Sequence, residues 1–550
     1  MPRVTSPVRD IVLAALLFSA LTIVMTWPQA RVMSSHVASH FDSFFSVWRL
    51  AWIAHQLPSA PLELYQANIF YPQRFSLALS DPILQEGLTA APLLWLGASP
   101  IFAYNLLVLA SFVLCGTAAW ALASRLTGSR LAGVIAGVVF AFAPYRYEHF
   151  YHLEILWAFW IPVAFLALHR AVDLGTVRAG LHVGLAVIAQ ALACLYYAVY
   201  LGIVLSFAGP LLVRWRDAHR VRTVAGLAAG AVAATLFVFV YIQPLLSIRS
   251  ELLPRVPADA DGYSARAVSY LATPERNRVY GRYLGPFGSG ELRLFPGIAA
   301  VVFAVGALRH ARRQTFVYLV VFGVAIVGSL GTNAPFFNLV RGASELVSML
   351  RVPARFFAVA LCALGVLAAM GTAAFLATLH SPRTRLIAAG VIAGIMLVEY
   401  STVLDLQEVR TDPAPVYQWL ARQPRGAVVE FPMPRPHRLP GPEPYRQYNS
   451  TLHWQPLMNG YSGHYPVAYR NLLLNVAPFP RGGWMDVVVA RGVRYIVLHE
   501  RELSRDDLME ALRRLEGHPS FRRIARFSDP ADPTWVYERT ERRLAGHTAR

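Results

Sequence analysis

The chain contains no lysine; all 50 of its basic residues are arginine. It is also short of acids, with 32, short of cysteine, with three, and short of charge altogether, at 15% of 550 residues. Each shortage excludes something. Cys115, Cys194 and Cys362 stand apart within apolar runs, without CxxC spacing or a histidine beside them, so neither a disulfide framework nor a zinc ribbon is readable. The low charge, beside 55% hydrophobic residues and a mean hydropathy of +0.42, excludes an ordinary soluble domain. Neither GxGxxG nor a GxxxxGK loop occurs, so no familiar nucleotide-phosphate cradle is present. The net charge of +18 would suggest nucleic acid in a soluble protein, but here the arginines gather in short loops between apolar runs, as the positive-inside rule describes. Nucleic acid is therefore excluded as a partner. The missing lysine reads as codon bias, pointing to a GC-rich bacterium.

What the chain does have is apolar runs, at about 11–27, 103–123, 131–144, 154–168, 180–194, 197–213, 222–242, 294–308, 314–330, 356–378 and 386–402. Most approach the ~20 residues a bilayer requires, which predicts about eleven spans. The first, behind Arg3 and Arg9, reads as an uncleaved span rather than a signal peptide. With a cytoplasmic amino terminus, "SRLTGSR", "HRAVDLGTVR", "VRWRDAHRVR", "RHARRQ" and "HSPRTR" all fall inside. The other face then receives residues 29–102, the short "PYRYEHFYH", residues 243–293 and 331–355, and everything after 402. Within 29–102, the stretches 44–57 and 81–100 read as two helices lying at the membrane surface. The fold expected is thus an α-helical polytopic membrane domain, 1–402, followed by a small α/β domain, 403–550, outside the membrane. In that domain "GAVVEFP" and "VRYIVLHE" read as buried strands, and "SRDDLMEALRRLEG" as an amphipathic helix opened by a serine cap.

Asp42 heads the first surface helix, and its local reading is a helix N-cap. A first span, an external loop whose acid precedes a surface helix, a second surface helix, and a span returning to an Arg-rich loop together resemble the C-type (GT-C) glycosyltransferase superfamily over residues 1–215. The segments "FDSFFSVWRLAWIAHQL", "ANIFYP", "FAFAPYRYEHFYH" and "TLHWQPLMNGYSGHYP" are similar to uncharacterised bacterial members. The resemblance implies a sugar donor carried on polyprenyl phosphate, transfer on the periplasmic face of the inner membrane to a glycan, lipid or protein acceptor, and an inverting reaction. It also implies an acid of the first external loop as catalytic base, and only Asp42 stands at that place. Many relatives carry a paired acid there, where this chain has Ser43 and Phe44. That departure leaves the need for a divalent metal open.

Such a reaction requires a base for the acceptor and cations for the departing phosphate. Asp81 and Glu86 are candidates for a second acid or for acceptor binding, against the plainer reading that Asp81 caps before Pro82 and Glu86 is solvated. "PYRYEHFYHLE" offers Arg146, His149, His152 and Glu154 as ligand contacts; His149 and His152 would share a helix face, a spacing also served by an interfacial aromatic belt. Arg351 and Arg355 lie on the side that disfavours them, as phosphate contacts or partners of a neighbouring acid. Tyr263 and Arg266, with Tyr270, belong to a candidate gate or an ordinary loop. His453, Tyr461 and His464 suit sugar or acceptor binding, or merely dock the outer domain. Rival functions are a transporter or flippase of lipid-linked glycan and a non-catalytic assembly protein. Polar clusters at span ends rather than mid-span favour chemistry at the surface.

Overall fold

A computed structural model describes residues 7–253, 260–309, 312–334 and 351–540. Each apolar run is a helix. The chain opens with α1 (Pro7–Met25), passes a short strand β1 (His36–Ala38), and forms α2 (Phe41–Gln56) and α3 (Leu84–Trp95). Then follow α4 (Pro100–Thr127), α5 (Arg130–Phe142), α6 (Trp160–Leu174), α7 (Val177–Ala193), α8 (Leu195–Leu212) and α9 (Arg220–Tyr241). The membrane part closes with α10 (Ile298–Gly306), α11 (Arg313–Ser329), α12 (Phe357–Ala377) and α13 (Pro382–Tyr400). Among the described residues six helical segments are long and apolar enough to cross a membrane: those of α1, α4, α6 with its preceding turn, α8, α9 and α12 with its preceding turn. Helices α7, α10 and α11 are apolar but shorter. The protein is a multi-pass membrane protein.

Small residues let some of these helices touch backbone to backbone. Gly180 and Gly184 of α7 face Gly226 and Gly230 of α9, and a Cβ on Gly184 would stand 2.3 Å from the Gly230 carbonyl oxygen. Any side chain there would force the pair apart.

The first loop departs from the sequence reading at α2. Its aromatic residues were expected at a membrane surface, but Phe45, Trp48 and Trp52 are buried. Trp48 donates to Asn68 Oδ1 at 3.1 Å, and Trp52 donates to the Leu64 carbonyl at 2.8 Å. The reason is tertiary: the outer domain lies over the loop, so an amphipathic helix finds protein where a surface helix would find lipid. By contrast α3 keeps Leu88 and Trp95 exposed, as an interfacial helix should.

After α13, strand β2 (Leu406–Glu408) pairs antiparallel with β1, in the register Val37 to Gln407. The outer domain follows, with β3 (Ala427–Phe431), β4 (Val493–His499), β5 (Phe521–Phe527) and β6 (Thr534–Arg539) in the order β3-β4-β6-β5. The β3–β4 pair is parallel and the others antiparallel. Parallel pairing needs a crossover, and the chain between β3 and β4 supplies it with α14 (Glu443–Asn449) and α15 (Val467–Val476). Helix α16 (Arg505–Glu516) packs near β5, opened by Ser504, whose hydroxyl accepts from the Asp507 amide at 3.1 Å. The domain is welded to the first loop. Asn68 donates to Ser450 Oγ and the Gln455 carbonyl, and the Phe70 and Tyr71 amides donate to Asn459 and Leu457. Loop and domain therefore share one side of the membrane part.

Candidate functional site

The cap of α2 is His40, not Asp42. His40 has extended backbone, and its Nδ1 accepts from the Asp42 amide at 3.2 Å. This leaves the Asp42 carboxylate, in the first helical turn, free to face inward. Its Oδ1 accepts from the Tyr461 hydroxyl at 2.8 Å, and its Oδ2 lies 3.0 Å from His152 Nε2 and 3.4 Å from His40 Nδ1. Burial works to raise the Asp42 pKa, but the hydrogen bond and charge of His152, aided by His40 and Tyr461, hold it at about 2. The group is an anion across the physiological range. The Tyr461 phenol moves the other way, pushed up by burial and by the carboxylate it faces, so it remains a donor.

Asp42 and Tyr461 line a cleft of about 1220 Å³, counting its open mouth, together with Asp81, His152, Glu154, Tyr196, Tyr241, Arg351, Arg355, Gly463 and His464. First loop, membrane helices and outer domain each contribute a wall. A second space of about 1910 Å³, apolar and open, runs along α7, α8 and α9 to Trp215. Val199 and Ile242 line both, so the polar cleft continues into the apolar groove.

The two external arginines are not equivalent. Arg355 is buried and grips Glu291 through Nε, at 3.0 and 3.1 Å from the two carboxylate oxygens, and through its Nη2. Burial would raise Glu291, yet Arg355 and His149 hold it at about 2. Arg351 meets no carboxylate among the described residues; its guanidinium lies 5.3 Å over the Tyr263 ring. One charge is cancelled, and the other still faces the cleft.

The acids divide likewise. Glu154 is paired with Arg49 Nη2 at 2.9 Å; the same nitrogen donates to Ser46 Oγ at 2.9 Å, and Nη1 donates to the Asp81 carbonyl at 2.7 Å. Asp81 does cap a helix, but a distant one: its Oδ2 accepts from the Leu195 amide at 2.7 Å, at the start of α8. Burial, with Glu154 adding, overcomes that amide and raises Asp81 to about 7. His149 is buried, with Nδ1 3.1 Å from His152 Nδ1 and Nε2 3.5 Å from Glu291 Oε2. His149, His152 and Glu291 each offer a metal-ligand atom within 4.8 Å of the others, the one such group among the described residues.

Several expectations fail. Glu86 is neither solvated nor at the cleft; it is buried in the first turn of α3, and burial pushes its carboxyl well up, which favours the neutral acid. Arg146 braces the interior, donating to Ser111 Oγ and the Leu156 carbonyl, each at 3.1 Å, and stacking on Phe112. It lies outside the cleft lining, because the turn after α5 points it inward. Arg266 is exposed and away from the cleft. Tyr263 touches Arg351 but does not line the cleft, so it backs the wall. His453 is buried inside the outer domain, stacked on Tyr417, its Nδ1 accepting from the Gln455 amide at 3.0 Å. His464 lines the cleft while its amide donates to the Leu79 carbonyl at 2.8 Å.

Sequence reasoning passed over Arg49 and Glu291. Arg49 carried a signal, as the one arginine in a helix of mostly aromatic and apolar residues. Glu291 carried none, as one acid in a Gly-rich loop looks solvated until Arg355 and His149 fold against it.

No family model and no curated protein matches the chain. Two solved structures are similar over most of its length. One is the Archaeoglobus fulgidus oligosaccharyltransferase in its apo form, with a TM-score of 0.47 at 12% identity, covering 97% of this chain and 74% of that one. The other is ArnT from Cupriavidus metallidurans in its apo state, with a TM-score of 0.47 at 16% identity, covering 95% and 97%. Both scores fall below 0.5, so the functional reading rests on the chain's own residues.

Proposed function

We propose that the protein is a GT-C-like membrane glycosyltransferase that moves a sugar from a polyprenyl-phosphate donor to an acceptor hydroxyl in the cleft, with inversion. One observation carries the reading. An ionised carboxylate, Asp42, and a guanidinium, Arg351, that meets no carboxylate among the described residues line the same cleft, and that cleft runs on into an apolar groove. A lipid phosphate needs both environments at once: an aliphatic trough for its tail, and a cation for its head.

In the transfer, the acceptor oxygen bonds to the anomeric carbon as the bond from that carbon to phosphate breaks. The acceptor's proton passes to Asp42, and polyprenyl phosphate leaves with the bond's electrons. A carboxylate held near 2 is a poor base at rest. An acceptor hydroxyl that replaces Tyr461 on Oδ1 places its proton against the carboxylate, and that hydroxyl becomes more acidic as its oxygen bonds to carbon, so the proton can pass. Arg351 meets the departing phosphate. Arg355, already bound to Glu291, keeps Arg351's neighbourhood in shape rather than supplying free charge. The catalysed side is the periplasmic face of a bacterial inner membrane in this reading, by the arginine distribution of the loops.

The test is release of polyprenyl phosphate by purified protein given a panel of polyprenyl-phosphate sugars, wild type against Asp42→Asn. Release by the wild type that the variant lacks supports the reading. Equal release by both removes Asp42 as the base.

A further inference from the structure

The contacts from Asp42 to Glu291 do not balance with neutral side chains. Three of them run in series: Asp42 Oδ2 to His152 Nε2 at 3.0 Å, His152 Nδ1 to His149 Nδ1 at 3.1 Å, and His149 Nε2 to Glu291 Oε2 at 3.5 Å. Each needs one hydrogen between its heavy atoms. Two neutral imidazoles bring only two, so one lone pair always faces a carboxylate or another lone pair. The series lacks one unit of positive charge. His149 Nε2 is buried and makes no hydrogen bond, approaching Glu291 only to 3.5 Å.

We propose that a zinc-like divalent cation sits between the two Nδ1 atoms, making His149 and His152 a two-imidazole metal site on the wall of the cleft. The geometry suits this. At Zn–N distances of about 2.0–2.1 Å, two ligands of a tetrahedron stand about 3.3 Å apart, close to the separation of the two Nδ1 atoms. With the metal there, both Nε2 atoms carry hydrogen, and each points at a carboxylate, His152 at Asp42 and His149 at Glu291. That is the carboxylate–histidine–metal arrangement that fixes ring orientation and raises ligand basicity. Glu291 is better placed as an orienting partner than as a ligand, because Arg355 already occupies both its oxygens. His152 lines the cleft, so the remaining coordination positions open toward water or an anionic oxygen of a ligand. The paired acids missing after Asp42 are thus answered by a nitrogen site beside it.

This inference deepens the transferase reading, but its test does not use transfer. Full-length protein purified without a histidine tag is stripped with chelator and titrated with Zn²⁺ and with Co²⁺. We expect one tight equivalent per chain, absent from His149→Gln and His152→Gln, and weakened about 10–100-fold in Glu291→Gln. X-ray absorption at the zinc edge of the wild type alone covers the case of misfolded variants, and should show two imidazoles and no sulfur. Absence of a tight equivalent in the wild type, fewer than two imidazoles, or an equivalent kept by both histidine variants each overturns the site. The first outcome would leave a shared proton as the missing charge. None of these results bears on whether the chain releases polyprenyl phosphate, so the two claims fail separately.

Discussion

Ionisable groups are as deeply buried in the outer domain as around Asp42, yet the two regions are built differently. In the outer domain Arg446 bonds to Glu443 at 3.3 Å and to Glu502 at 2.8 Å, and donates to the Glu430 and Pro432 carbonyls. His499 lies 2.7 Å from Glu430 through Nε2 and 2.7 Å from Asp532 through Nδ1. Charges there meet charges, away from the cleft that Asp42 lines. Around Asp42 the charges border a cleft, Arg351 faces it with no acid, and the histidine series is one positive charge short. Burial alone therefore distinguishes nothing. A network in which each cation is gripped by acids away from the cleft reads as structure, whereas a cation left without an acid on a cavity wall reads as a place for a ligand.

Substitutions should separate the two regions. The largest effect is expected from Asp42→Asn, which should lower transfer about 10²–10⁴-fold while the protein elutes and melts like the wild type. A large fall in stability instead would move Asp42 into the structural class. Next, Arg446→Leu should cost about 3–5 kcal/mol in thermal unfolding, because it strands Glu443 without its cation and leaves the buried Glu430 and Pro432 carbonyls without their donor. Activity per folded molecule should be unchanged, and a specific loss would erase the contrast.

His499 offers a test by pH. Burial lowers its pKa, but the hydrogen bonds it donates to Asp532 and Glu430 outweigh that and raise it to about 9. A histidine raised on folding stabilises fully below its unfolded pKa, near 6.5, and loses that contribution as pH rises through the folded value. The wild type should shed up to roughly 3 kcal/mol between those limits, and His499→Gln should be flat across the same window. A parallel slope in both would show the charge is unimportant.

The arginine pair sharpens the comparison within the cleft. Arg351→Gln should raise the donor KM about tenfold or more with little change in melting, whereas Arg355→Gln should mainly destabilise, leaving Glu291 buried and unpaired. Matching behaviour would contradict their separation. Smallest of all, Tyr461→Phe should change transfer only a few-fold, as the acceptor is expected to take over its hydrogen bond.

Much of the architecture was legible because a bilayer imposes length and apolarity on each segment, and those survive in a single sequence. The eleven runs became helices, and β3 and β4 stood where the apolar blocks of "GAVVEFP" and "VRYIVLHE" placed them. What was not legible depended on which surface covers which. The aromatics of α2 suit lipid or protein equally, and only the outer domain decides between them. Arg351 and Arg355 look alike in "RVPARFF" until Glu291, some sixty residues earlier, chooses one of them. Asp42 and Tyr461, 419 positions apart, were each singled out, but their contact was not. Arg146 and His453 lie off the cleft lining for the same reason: a polar residue has no direction in sequence.

The most direct measurement is cryo-electron microscopy of the protein with polyprenyl phosphate bound. The account predicts phosphate density against the Arg351 guanidinium, within reach of Asp42, with the tail leaving past Val199 and Ile242 into the apolar groove. Phosphate bound elsewhere, with the cleft beneath Tyr461 empty, would contradict it.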